Sequence, residues 1–210
     1  MGIQERRERE KQEVRKKILD AARELFAREG YEAVTMRRIA DRIEYSPTAI
    51  YLHFKDKETL IRELCANDFR ELAHAFARIA QEPNPIERLR KLGLAYVGFA
   101  IDYPNHYRLM FMTPHPHLDP CEMDLQKGNP EEDAYAFLKA TIAQAIEEGR
   151  LRPELTDPEL AAQLAWASMH GLVSLHIAKG DDPWVEWRPL AQAASLMVEV
   201  CLRGITREGK

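Results

Sequence analysis

The sequence predicts an all-α protein, with a small N-terminal three-helix unit ahead of a larger helical body. Three observations predict it. Apolar residues recur at spacings of three and four along most of the 210 residues, the period of a helix with one buried face. Ser, Thr, Asp or Asn precedes these stretches again and again, several times followed by Pro, as at a helix N-cap and first position. No alternating strand pattern, internal repeat or low-complexity tract interrupts them. Nine or ten helices are predicted.

The first helix carries Val14, Ile18, Ala21, Ala22 and Leu25 on one face, and Gly30 stands where a helix-terminating glycine belongs. The charged run Glu5–Lys17 is either an arm or a solvated face. Thr35 caps a second helix with Met36, Ile39, Ala40 and Ile43 on one side. Ser46-Pro47 opens a third, and Asp56 caps a long fourth with Leu60, Ile61, Leu64 and Leu72 inward, ended by Pro83 and Pro85. Downstream, Asn84-Pro85, Asn129-Pro130 and Asp157-Pro158 open segments running to about Tyr103, Glu148 and Lys179. Pro104 starts a short helix. The last helix is predicted from Pro183 or Glu186 to Arg203, and Thr113–Asn129, with three prolines, reads as a loop.

Composition narrows the function classes. Three well-separated cysteines (Cys65, Cys121, Cys201) make no C-x-x-C pair, which argues against a disulfide framework and for a reducing, cytoplasmic setting. The opening MGIQERRERE predicts no secretory signal. The longest apolar run, Leu92–Ile101, is too short to cross a bilayer, so no membrane partner is expected. The formal charge of −4 hides an asymmetry: residues 1–57 carry +3 and residues 58–210 carry −7. An anionic partner would meet the first segment. The domain boundary is drawn there, 1–57 and 58–210.

Helices two and three are short, joined by about three residues, and lie behind a longer helix, the pattern of a helix-turn-helix. In that geometry the N-terminal residues of the second short helix face base edges in the major groove. Here they are Pro47, Thr48 and Ala49, small enough to enter; Thr48 can hydrogen-bond a base, and Pro47 and Ala49 can touch a thymine methyl. Tyr51, His53 and Lys57 offer hydroxyl, imidazole and ammonium groups suited to phosphates, as does Thr35 at the start of helix two, followed by Arg37 and Arg38, of which one or both face solvent. Ile50 and Phe54 read as anchors in the core.

The block LFAREGYEAVTMRRIADRIEYSPTAIYLHFKDKETLIREL, Leu25 to Leu64, resembles the N-terminal domain of TetR/AcrR-family transcriptional regulators. Phe26, Gly30, Tyr31, Thr35, Ile39, Ala40, Tyr51, His53, Phe54, Lys57 and Leu60 match the family pattern in order. The resemblance implies double-stranded operator DNA as partner, a homodimer on a palindromic site, and a helical domain that binds a small-molecule effector. It places Tyr51, His53 and Lys57 on phosphates and positions 47–49 against bases. One departure is Glu44, where the family usually has a turn glycine.

In the second domain Trp166 and His170 share a helix face, followed by Gly171, and with EEGRLRPELTDPEL before them resemble the WHG-type C-terminal domain of part of that family. Gly171 is expected to let another backbone approach. Tyr96, Phe99, Tyr103, Tyr107, Met110 and Phe111, together with Trp166 and His170, form the candidate lining of a largely apolar effector cavity. The helices near Asp157–Lys179 and Glu186–Arg203 would, by the resemblance, form the dimer interface. No enzyme fingerprint is present and no cofactor is expected. Two alternatives stay open: a metal-responsive regulator using His106, His115, His117, Asp119 and Cys121, whose spacing matches no closed zinc pattern, and a helical interaction module without DNA binding.

Overall fold

The computed structural model describes residues 2–116 and 126–207. Among them run nine α-helices: α1 (Ile3–Glu29), α2 (Met36–Arg42), α3 (Pro47–Tyr51), α4 (Lys57–Ala77), α5 (Pro85–Asp102), α6 (Pro104–Phe111), α7 (Ala134–Glu147), α8 (Pro158–Lys179) and α9 (Leu190–Ile205). The all-α prediction holds among these residues, whose β pairing is one isolated bridge between Leu151 and Thr206.

The caps explain most of the boundaries. Thr35 accepts from the Arg38 amide, Ser46 from Ala49, Asn84 from Ile86, and Asp157 from Glu159 and Leu160. Each supplies an acceptor to an amide that the helix leaves unpaired. Two starts differ from the sequence reading. At Asn129 the chain makes a turn, with the Asn129 carbonyl accepting from Asp133 N at 2.8 Å, and α7 begins at Ala134 with Asp133 as its cap. The last helix begins at Leu190 because Pro189 biases Arg188 away from helical geometry. The fourth helix ends at Ala77, before the prolines expected to stop it.

The chain divides into two compact units: residues 2–68 with 105–116, and residues 69–104 with 126–207. The division therefore falls inside α4 rather than between 57 and 58. The first turns of α4 are tied to α1, by Arg15 paired with Glu63 and by Arg23 paired with Asp68 at 2.8 Å, and His106 of α6 lies 3.8 Å from the same Asp68. In the first unit Ile18, Ala22, Phe26, Val34, Ile39, Ala40, Ile50, Phe54 and Leu60 are buried. Each large side chain among them contributes about 1.5–3 kcal/mol by leaving water.

In the second unit α5 packs against α7, α8 and α9. A Cβ on Gly93 would stand 2.7 Å from Val198 Cγ2, so this glycine lets α5 and α9 approach closely. Gly171, by contrast, is exposed, and an added Cβ there would meet nothing within 4 Å. The backbone approach expected at Gly171 is not made within the described chain.

Candidate functional site

The helix-turn-helix is built by caps at both ends of its turn. At the end of α2 the Tyr45 amide donates to Ala40 O at 3.0 Å and the Glu44 amide to Asp41 O at 3.3 Å, the paired closure of a Schellman turn. Such a turn puts its C′ residue in the left-handed region, and Glu44 stands there at φ 60°, the one non-glycine with positive φ among the described residues. The departure seen in the sequence is thus a strained backbone position, costing about 1 kcal/mol relative to glycine. Two residues later Ser46 caps α3 and Pro47 takes its first position.

Burial then sorts the residues of α3 and its exit. Ile50 and Phe54 are buried, while Thr48 is exposed and Pro47 and Ala49 are half-buried. Tyr51 is 54% exposed and the neighbouring Leu52 is 78% exposed, an apolar projection on the same surface that sequence reading passed over. His53 is half-buried; its Nδ1 is buried without a hydrogen-bond partner among the described residues. Burial, with Arg15 and Lys11 nearby, holds the His53 pKa below the usual histidine value, so the ring is neutral at pH 7.

Ion pairs decide which cations of α2 are available. Arg38 is paired with Glu29 and Arg42 with Glu24, each at 2.9 Å, and both reach back to α1. Arg37 is exposed and takes part in no ion pair among the described residues. Periodicity could not separate Arg37 from Arg38; the tertiary pairing does.

Lys57 has a structural task. Its ammonium donates to Tyr31 O at 2.9 Å and Val34 O at 3.1 Å, and lies 4.0 Å from the centroid of the Tyr31 ring. Two of its three N–H groups therefore hold the link between α1 and α2. Arg15, unmarked by any sequence motif, holds the other side of the motif. It donates to His53 O at 2.8 Å, pairs with Glu63, and places its guanidinium carbon 4.2 Å from the Phe54 ring centroid.

The residues expected around an effector divide between the units. Tyr107, Met110 and Phe111 lie in the first, with Tyr107 and Phe111 ring centroids 5.0 Å apart. Tyr96, Phe99, Tyr103, Trp166 and His170 lie in the second. There the Trp166 indole N–H donates to the Tyr96 hydroxyl at 3.0 Å, and that hydroxyl lies 3.4 Å from His170 Nδ1. Because an indole nitrogen only donates, the Tyr96 hydroxyl accepts from Trp166, while the direction of its contact with His170 Nδ1 is set by the imidazole tautomer. Burial lowers the His170 pKa, which favours the neutral ring. Phe99 is buried, whereas Tyr103 is 45% exposed and lies tilted against Phe99, with ring centroids 5.4 Å apart.

Tyr135 extends the cluster. Its ring lies 5.9 Å from Trp166, and its hydroxyl donates to Glu159 at 2.6 Å. Burial and the Glu159 carboxylate push the Tyr135 pKa up to about 12. Neither Tyr135 nor Glu159 was singled out from sequence. Tyr135 follows a capping Asp on a separate helix, and no spacing rule connects it to α8.

Residues 18–64 match the family described as "Bacterial regulatory proteins, tetR family". Residues 89–200, more than half of the chain, match "Tetracyclin repressor-like, C-terminal domain". The chain belongs to the TetR family. Its relatives include the HTH-type transcriptional regulator TtgR of Pseudomonas putida, 29% identical over 179 residues, covering 80% of this chain and 82% of TtgR. The repressor AcnR of Corynebacterium diphtheriae is 41% identical over 63 residues, covering 30% of this chain and 33% of AcnR. Among solved structures, FadR of Bacillus subtilis in complex with stearoyl-CoA has a TM-score of 0.73 at 19% identity, covering 90% of this chain and 98% of FadR, a likeness of fold.

This TetR-family regulator has an N-terminal helix-turn-helix domain and a helical C-terminal domain. Of the histidine- and cysteine-bearing run considered for a metal, His117, Asp119 and Cys121 lie outside the described residues. Of its other members, His106 sits beside Asp68 and His115 Nδ1 lies 2.9 Å from Pro116 O. No helix among the described residues is long and apolar enough to cross a membrane.

Proposed function

We propose that the protein is a ligand-released repressor that binds a palindromic operator as a homodimer. The observation that carries this reading is the division of α3 into a buried anchor, Ile50, and a small, accessible leading edge at Pro47, Thr48 and Ala49. Thr48 reads a base edge and its neighbours contact thymine methyls. Tyr51, His53 through its neutral ring, the unpaired Arg37, the Thr35 hydroxyl and the remaining N–H of Lys57 hold phosphates and set the register.

Dimerisation is supported by apolar rows that α8 and α9 leave exposed: Leu160, Leu164 and Leu175 on α8, Leu196 and Val200 on α9. Exposed Gly171 falls in the α8 row, between Leu164 and Leu175, where a second copy would approach closely. Two-fold symmetry matches a palindromic site. The effector is a largely apolar small molecule with a polar group suited to the Tyr96–Trp166–His170 cluster; that a FadR of this fold is solved with stearoyl-CoA, which joins an apolar acyl chain to a polar head, fits a ligand with both parts. An effector with higher affinity for one of two conformations shifts the population away from the DNA-bound state.

Selection from random duplexes with the purified protein tests this. A palindromic sequence should be enriched, Tyr51→Ala should weaken binding to all sequences alike, and Thr48→Ala should change the preferred bases. No enrichment at low salt, or unchanged preference in Thr48→Ala, would sink the reading.

A further inference from the structure

The charged start of α1 is a regular helix from Ile3 onward, several turns longer than the core it serves. The core-facing stripe of α1 is marked by buried Ile18 and half-buried Val14. Continued toward the N-terminus at the same spacings, this stripe next meets Lys11 and then Arg7. Where the core runs out, the inward face of the helix turns cationic.

Pairing separates this row from the rest of the charged run. Arg6 pairs with Glu10 at 2.8 Å, Arg9 with Glu13 at 3.9 Å, Gln12 donates to Glu8 at 2.9 Å, and Glu5 accepts from the Gly2 amide at 2.8 Å. Arg7 and Lys11 are exposed and have no ion-pair partner among the described residues. Their position is fixed by Arg15, one turn after Lys11, which is clamped to His53 O and Glu63. Lys11 therefore stands on the side of α1 that overlooks the exit of α3, and its charge is felt by His53. Tyr51 and Leu52 project from that same exit.

We propose that Arg7 and Lys11 form a ridge that grips the DNA backbone outside the base pairs read by α3, so that the footprint of each subunit is lengthened by α1. The inference rests on the operator reading above. The partner is duplex phosphate, because fixed cations without carboxylate partners recognise backbone charge and not sequence.

The test is the salt dependence of affinity for the selected operator, measured by fluorescence anisotropy with the full-length protein. Arg7→Gln/Lys11→Gln should lower the log–log slope by about 0.9 per lost contact, so by about 1.8 per subunit. Discrimination between operator and scrambled duplex should stay the same. Trimming flanking base pairs should weaken the wild type and leave the double variant unaffected. Lys16→Gln/Lys17→Gln removes equal charge off the row and should lower the slope less; Arg7→Lys/Lys11→Arg should retain the wild-type slope. A slope equal to wild type in the Gln pair, or an equal fall in the Lys16/Lys17 control, overturns the ridge while leaving the operator reading intact. Absence of salt-dependent binding by the wild type overturns both.

Discussion

The Lys57 ammonium donates to the carbonyl of Tyr31 at 2.9 Å while lying over that residue's own ring at 4.0 Å. A lysine at the start of α4 thus holds the link between α1 and α2, and with it the placement of the helix-turn-helix.

Lys57→Ala should therefore destabilise the fold by about 1–3 kcal/mol, from two lost ammonium–carbonyl hydrogen bonds and a lost cation–π contact. Tyr51→Ala, at an exposed site, should leave stability within about 0.5 kcal/mol of wild type. Urea unfolding of the two variants separates the roles. Equal stability in both would mean that Lys57 serves only the surface.

Glu44 stands at φ 60° in the turn. Glu44→Gly should stabilise by about 1 kcal/mol, raising Tm by about 2–4 °C. Glu44→Gln keeps the backbone strain and should leave Tm unchanged. Both should bind DNA more tightly, since each removes an anion beside the duplex. A Tm rise in the Gln variant would show that charge, and not the left-handed backbone, sets the cost.

Arg23 and Asp68 are almost fully buried as a pair, with Arg23 also 3.0 Å from Asp20. Arg23→Met takes the guanidinium partner from the buried Asp68 carboxylate and should cost about 3–5 kcal/mol. Arg23→Met/Asp68→Leu should recover much of that loss, because both members of the buried pair are then apolar. Chemical denaturation of the single and double variants gives the comparison, and a double variant no better than the single would contradict it.

His106 beside this pair has its pKa lowered to about 4, first by burial and then by the Arg23 guanidinium, with Asp20 opposing. In the unfolded chain the group titrates near 6.5, so the unfolded state takes up the proton first. Its contribution to stability is complete above about pH 6.5 and is lost progressively as pH falls toward 4. His106→Gln should flatten that part of the wild-type stability profile, measured by denaturation at steps between pH 7 and 4. Parallel profiles for the two proteins would refute the assignment.

Much of this was legible along the chain. Thr35, Ser46, Asn84 and Asp157 announce their helices because a cap needs only a side-chain acceptor a few residues from a free amide. The motif from Phe26 to Leu60 was readable for a similar reason: its anchors and its exposed positions recur at helical spacing along the end of α1, the short helices α2 and α3 and the start of α4. Asp133 was passed over in favour of Asn129-Pro130, because two adjacent capping signals compete and the turn at Asn129 is decided by its bond to Asp133.

Sequence by itself determined the helical class, most of the caps, the helix-turn-helix and the small leading edge of α3, all properties of residues close together in the chain. Tertiary structure decided how charge is spent: which of Arg37 and Arg38 is taken by α1, that Lys57 holds Tyr31 and Val34, that Arg15 clamps His53, and that Tyr96 joins Trp166 and His170. Long cationic and aromatic side chains choose their partners by distance in space, across separations of tens of residues that no periodicity records.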